Sequence, residues 1–143
     1  MAYRLVAALL VLTTPCIPQS REERVRAFAA ARLRVWQDRL SLGNWKISTD
    51  LMHASALRPR TVGQLEVDYP KRMATIRILD PSDYRGPDSS ALELTESVVV
   101  HELVHLSLTP ILKDWRGEES VDREEERAVQ KITRALLQSQ VGN

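Results

Sequence analysis

Two histidines and a glutamate lie within a strongly apolar stretch, VVVHELVHLSLTP, at residues 98–110. Residues four apart on a helix project from the same face, so His101 and His105 can reach one ion. Glu102 follows the first histidine, where it can address a water on that ion instead of the ion itself. Metal-assisted hydrolysis requires this arrangement, because the carboxylate takes a proton from water and later passes it to the leaving amine. The alternative is a metal-free packing motif in which both histidines are satisfied within the core.

A catalytic zinc site needs three protein ligands and one open position, so the histidine pair is incomplete by itself. The elongated pattern HExxHxxGxxH is excluded, because Leu108 and Ile111 stand where it requires glycine and histidine. The other route takes a glutamate from a later helix, and residues 123–136 (REEERAVQKITRAL) offer three in succession.

Helical phase distinguishes these three glutamates. Steps of three, four, seven and eleven residues from Glu125 reach the apolar positions Ala128, Val129, Ile132 and Leu136. Most of the same steps from Glu124 or Glu126 reach polar residues, which suits a solvated acidic first turn. Glu125 is therefore the predicted third metal ligand, since a carboxylate on a buried face needs a cation or a donor.

The pattern of the chain predicts an α+β domain that positions these residues. An N-terminal helix is expected over residues 21–42, ended by Gly43. Two-residue alternation predicts three strands, over 45–51, 62–69 and 74–78, in a small, mostly antiparallel sheet. The site helix is expected over 91–108, from a capping box at Ser90 and Glu93 to a stop before Pro110, and the ligand helix over 121–138.

The N-terminus has the pattern of a secretory signal. Arg4 precedes an apolar run at 5–12 (LVAALLVL), and small residues and prolines follow before a charged helix. We expect residues 1–20 to be a cleavable signal peptide and 21–143 to be one exported domain, periplasmic or secreted. No stable membrane insertion is expected after cleavage, because the run is too short to span a bilayer. The alternative is an apolar helix packed on a cytoplasmic domain.

Composition bounds the function without specifying it. The chain has 143 residues, one cysteine (Cys16) and a formal net charge of +1. This size predicts a single domain, the lone cysteine excludes an intrachain disulfide, and the balanced charge gives no reason to expect a nucleic-acid partner.

The motifs VVVHELVHL and EEERAVQKITRAL together resemble the active-site and ligand helices of zincin metallopeptidases, in the gluzincin-like branch whose third ligand is glutamate. With LGNWKI and VGQLEVDYPKRMATIRIL before them, they also resemble short metallopeptidase-like proteins of phage and bacterial genomes. The resemblance implies that His101, His105 and Glu125 hold Zn2+, that Glu102 is the general base, and that a peptide or protein substrate lies along a sheet edge. Many such proteins carry an acid one turn after the ligand glutamate, whereas this chain has Val129.

Two functions follow as expectations. The first is zinc-dependent hydrolysis of peptide bonds, for which His53, Tyr84 and Arg85 are candidate oxyanion donors. The second is a non-catalytic, zinc-stabilised module that binds a peptide or a partner protein. The first depends on Glu102, because a binding site has no need of a base beside the water.

Overall fold

The computed structural model describes residues 19–112, 117 and 119–140, which form three α-helices and a three-stranded sheet. The elements in chain order are α1 (Arg21–Arg39), β1 (Lys46–Met52), β2 (Gly63–Asp68), β3 (Met73–Leu79), α2 (Asp88–Leu112) and α3 (Glu119–Gln138). The expected α+β class is confirmed. The predicted signal peptide falls almost entirely on residues 1–18, outside the described residues, as does Cys16.

Helix α1 packs against α2 and β1 through one apolar face. Val25, Ala29, Leu33 and Trp36 are buried at the four- and three-residue spacing of a helix. Ser20 caps its start in a capping box with Glu23. The predicted end at Gly43 is wrong: the helix ends at Arg39 with Leu40 as its C-cap.

The sheet is mixed, with the strand order β1-β3-β2. β3 is parallel to β1 and antiparallel to β2, so the prediction of a mostly antiparallel sheet holds for only one of the two strand pairs. β3 takes the centre because Ala74, Ile76 and Ile78 form its fully buried inner face. This order leaves β2 as an edge strand.

Helix α2 is the central element of the fold. It contacts α1, α3, β2 and β3, and its buried residues are distributed over several faces. The helix is longer than predicted at both ends. It starts at Asp88, before the expected capping box, and it continues through Pro110. Because Pro110 lies in the last turn, it removes few helical hydrogen bonds, and the Thr109 hydroxyl donates to the His105 carbonyl at 2.9 Å.

Helix α3 contacts α2 along a narrower stripe than expected. Glu125, Val129 and Thr133 are buried, whereas the predicted stripe residue Ile132 is 39% exposed and Ala135 is also exposed. The buried line therefore follows four-residue steps from Glu125, and Ile132 lies outside it because, among the described residues, the extensive contacts of α3 are those with α2.

Candidate metal centre

The two histidines of α2 lie on successive turns and face the same space. Their Nε2 atoms are 3.2 Å apart, and the side chains are 23% exposed for His101 and 19% exposed for His105. Burial lowers the pKa of His101, although the Glu126 carboxylate opposes the change. The imidazole is thus neutral near pH 7, which is the form that binds a metal.

The first turns of α3 bring two carboxylates to this pair from different sides. Glu126 faces the Nε2 atoms: its Oε2 is 3.2 Å from His105 Nε2, and its Oε1 is 3.5 Å from His101 Nε2. Glu125 lies behind the second ring, with its Oε1 3.0 Å from His105 Nδ1. A hydrogen on Nδ1 then donates to Glu125 and leaves Nε2 free for a metal.

The chemistry and spacing of this set fit a zinc ion. His101, His105 and Glu126 each offer one ligand atom, and these atoms lie within 4.8 Å of one another. Ligands at about 2.0–2.1 Å from a tetrahedral ion are about 3.3–3.4 Å apart. The two Nε2 atoms, 3.2 Å apart, are close to that spacing, and each has a different oxygen of Glu126 nearby, Oε2 at 3.2 Å from His105 and Oε1 at 3.5 Å from His101. Nitrogen and carboxylate donors are those that zinc accepts at catalytic sites.

Gln130 holds the Glu126 carboxylate in place. Its Nε2 donates to Glu126 Oε1 at 2.9 Å from one turn further along α3. A polar contact of this kind orients a ligand and is as much a part of such a site as the ligand itself. The side chain of Glu126 is otherwise 45% exposed and could turn away without it.

Glu102 is the buried acid of the site. The residue is only 7% exposed, and burial raises the pKa of its carboxyl to about 7, although the electrostatic influence of the neighbouring His105 and Arg58 opposes the rise. A carboxyl that titrates near neutral pH is matched to the work of a general base.

Gly63 allows β2 to approach α2 closely beside this acid. A Cβ at this position would lie 2.4 Å from Val98 Cγ1 and 3.2 Å from Glu102 Oε1. The first distance is below any ordinary contact, so a side chain here would push the strand away from α2. Glycine therefore sets the separation between the strand edge and the acid.

A cleft of about 790 Å³ contains the histidines, Glu102 and both α3 carboxylates, with β2 along one wall. The Leu79 N–H donates to the Val62 carbonyl at 2.9 Å, which fixes the alternation of the antiparallel pair. Gly63, Leu65 and Val67 consequently direct their backbone N–H and C=O groups away from β3. Among the described residues no strand pairs with this outer edge of β2, which therefore forms a free strand edge along the cleft.

Two groups of predicted residues have different outcomes. His101, His105, Glu102 and Glu125 share this cleft, and Glu125 is 7% exposed, as its helical phase predicts. Direct coordination by Glu125 stays a prediction, because its near oxygen faces Nδ1 instead of Nε2. The described residues that line the cleft do not include the oxyanion candidates His53, Tyr84 and Arg85. His53 instead lies 3.1 Å from Asp83.

Sequence reasoning missed three residues of the site. Helical phase predicts that Glu126 lies on the solvated face of its helix, and no motif in the sequence indicates Gln130 or Arg58. The first two share a signal, because a glutamate and a glutamine four apart can hydrogen-bond along one helix face. Arg58 lies in a loop, for which the sequence offers no comparable rule.

In the part of the chain that the structure describes, no helix combines the length and apolar character needed to cross a membrane. Comparison of the chain with protein-family models, curated proteins and solved structures gave no match. Function therefore has to be argued from the geometry of the site.

Proposed function

We propose that this protein is a zinc-dependent peptidase. The carrying observation is that the two Nε2 atoms lie 3.2 Å apart and both face the Glu126 carboxylate, so that one ligand atom from each of the three residues lies within 4.8 Å of the others. On this proposal His101, His105 and Glu126 are the ligands, and Glu125 orients His105 through Nδ1. Bound there, zinc supplies a Lewis acid that acidifies water and polarises a carbonyl group.

Glu102 moves the proton in the proposed reaction. It accepts a proton from the attacking water as the oxygen of that water bonds to the carbonyl carbon. It then delivers the proton to the amide nitrogen as the carbon–nitrogen bond breaks, so that the amine leaves neutral. Its position between the histidines and the start of β2 suits both transfers.

The free edge of β2 supports a peptide as the substrate. An extended chain can pair with the outward backbone groups of Gly63, Leu65 and Val67, as peptides do when they add a strand to a sheet. Gly63 is beside Glu102, so the peptide group bound at this end lies next to the base.

Zinc content and proteolysis test the proposal together. The purified full chain should contain about one zinc per protein by elemental analysis and should cleave unfolded casein. Glu102→Gln should retain zinc and lose cleavage, because the variant lacks only the proton acceptor. Absence of zinc, or equal cleavage by parent and variant, would reject the proposal.

The free edge equally suits the second expected function, a zinc-stabilised module that holds a peptide without cleaving it. That function predicts zinc-dependent folding, peptide binding and no turnover in the parent protein. It also predicts that Glu102→Gln changes affinity at most.

A further inference from the structure

Two arginines lie at the end of the cleft that precedes β2. Arg58 and Arg60 line the cleft, and both are exposed. Within the described ranges, neither guanidinium has a carboxylate partner at ion-pair distance. Both arginines therefore line the cleft without a direct ion pair, although the charge of Arg58 acts on the buried Glu102 carboxyl and opposes the rise of its pKa.

The turn that carries them is held in a defined shape. The Thr61 N–H and hydroxyl both donate to the Arg58 carbonyl, at 3.2 and 2.8 Å. Pro59 occupies the second position of this turn, and Leu57 before it is buried. Arg60, in the third position, has a φ of 64°.

The backbone conformation of Arg60 adds a second observation. A positive φ at the third position of a turn favours glycine, and a long side chain there is strained. The fold nevertheless places an arginine at this point, and the residue lines the cleft. Strained positions of this kind concentrate at binding and catalytic sites.

The charges in the cleft are separated from one wall to the other. Asp122, Glu125 and Glu126 come from α3, whereas Arg58 and Arg60 come from the turn before β2. These two glutamates of α3 are used for the metal and its histidine ligands on the proposal above, so the turn is the part of the cleft whose own charge attracts a substrate carboxylate. The planar guanidinium can hold a carboxylate through two parallel hydrogen bonds.

We propose that Arg58 and Arg60 form a carboxylate-binding subsite that selects peptides with a negative charge at this end of the cleft. The proposal rests on the peptide-binding role of the β2 edge described above. Because β2 runs from Gly63 to Asp68, a peptide antiparallel to it brings its C-terminal end to the arginines. A parallel peptide brings its N-terminal end, and the carboxylate is then that of an aspartate or glutamate side chain.

Binding of four matched peptides separates these sources. All four are short alanine–valine peptides with a neutral fluorophore at the N-terminus. The first has a free C-terminal carboxylate, and the second has an uncharged C-terminal amide. The other two also have the amide, and carry one aspartate near the N-terminus or near the C-terminus. Zinc-treated Glu102→Gln full chain is titrated by fluorescence anisotropy, so that the result does not depend on turnover. At least one carboxylate-bearing peptide should bind about five- to tenfold more tightly than the uncharged amide.

Two variants and a control test the assignment to the turn. Arg58→Ala combined with Arg60→Gly should abolish this preference without lowering the thermal unfolding midpoint, since glycine relieves the positive φ of the turn. Arg34→Ala on the exposed face of α1 removes an equal charge far from the cleft and should leave the preference unchanged.

Equal binding of all four peptides, or a preference that survives in the double variant, would overturn the subsite. The double variant is also made in the active protein that retains Glu102. If it lowers kcat equally for every peptide and leaves the preference unchanged, the arginines act at the reacting carbonyl and the subsite is likewise overturned. Failure of the peptidase proposal is distinguishable. A protein that cleaves nothing but still prefers the carboxylate peptides retains the subsite.

Discussion

The burial of Glu102 predicts that its removal stabilises the metal-free protein at neutral and alkaline pH. The residue is 7% exposed, and its pKa is raised from an ordinary value of 4.5 to about 7. Between these values the folded chain keeps the proton while the unfolded chain loses it. The free energy of unfolding therefore falls as pH rises from about 4.5 to about 7, and it stays at the lower level above that.

The size of the effect follows from the pKa values. A rise from 4.5 to about 7 corresponds to about 3 kcal/mol of lost stability. Glutamine has nearly the same shape and no charge, so Glu102→Gln should recover most of this amount above pH 7. In a chain of 143 residues this is a rise of about 10 °C in the unfolding midpoint at pH 8, with little difference near pH 4.5.

Urea unfolding of chelator-treated protein measures the difference, with the fluorescence of the three tryptophans, of which Trp36 is buried in the core, as the signal. Glu93→Gln is the matched control, because it makes the same chemical change at an exposed position of α2. The reasoning is refuted if Glu102→Gln is no more stable than the parent at pH 8, or if the difference between them is the same at pH 5 and pH 8.

Three further predictions follow from the same structure. Glu125→Gln should weaken zinc binding by about 10- to 100-fold, and Glu126→Gln should weaken it more. Competition with a chromophoric chelator measures the zinc affinity of each variant. A larger loss in Glu125→Gln would instead make Glu125 the direct ligand. Gly63→Ala should destabilise the fold by about 1–3 kcal/mol, because its Cβ would overlap α2, whereas Gly43→Ala, where a Cβ meets nothing within 4 Å, should not. Burial by itself would raise the pKa of Glu96, but hydrogen bonds from tryptophan, glutamine and arginine neighbours lower this pKa overall. The Glu96 carboxylate therefore stabilises the fold above about pH 4.5, and this stabilisation is lost as the pH falls through the lowered pKa. Glu96→Gln should therefore lower the free energy of unfolding by about 2 kcal/mol at pH 7. The difference between this variant and the parent should be smaller at pH 3, and denaturant unfolding at both pH values measures it.

Local patterns were sufficient to predict the elements of this fold but not the pairing of its strands. The three helices and three strands follow from periodicity, because each presents an apolar face of its own period. The parallel contact between β1 and β3 depends on which strand occupies the centre of the sheet, and that is decided by packing against α2. The predicted end of α2 before Pro110 is wrong, because a proline in the last turn of a helix removes little of its hydrogen bonding.

The two neighbouring glutamates of α3 show the limit of an argument from helical phase. Phase correctly indicated that Glu125 is buried, but neighbouring helix positions differ by only about 100°, so Glu126 also reaches the space between the two helices. Burial and coordination are different properties: Glu125 is buried behind the ring of His105, whereas Glu126 is partly exposed and faces both Nε2 atoms.

The location of the site follows from the position of α2 in the fold. This helix is covered by α1 and β3 and partly by α3 and β2, so apolar side chains occupy most of its circumference. Polar side chains are tolerated in its middle where the protein supplies hydrogen-bond partners, as it does for Glu96, or where the helix faces a space that solvent or an ion can enter. His101, Glu102 and His105 all line that space. An apolar helix interrupted by three such residues on adjoining positions therefore indicates a cleft even before the residues that close it are known.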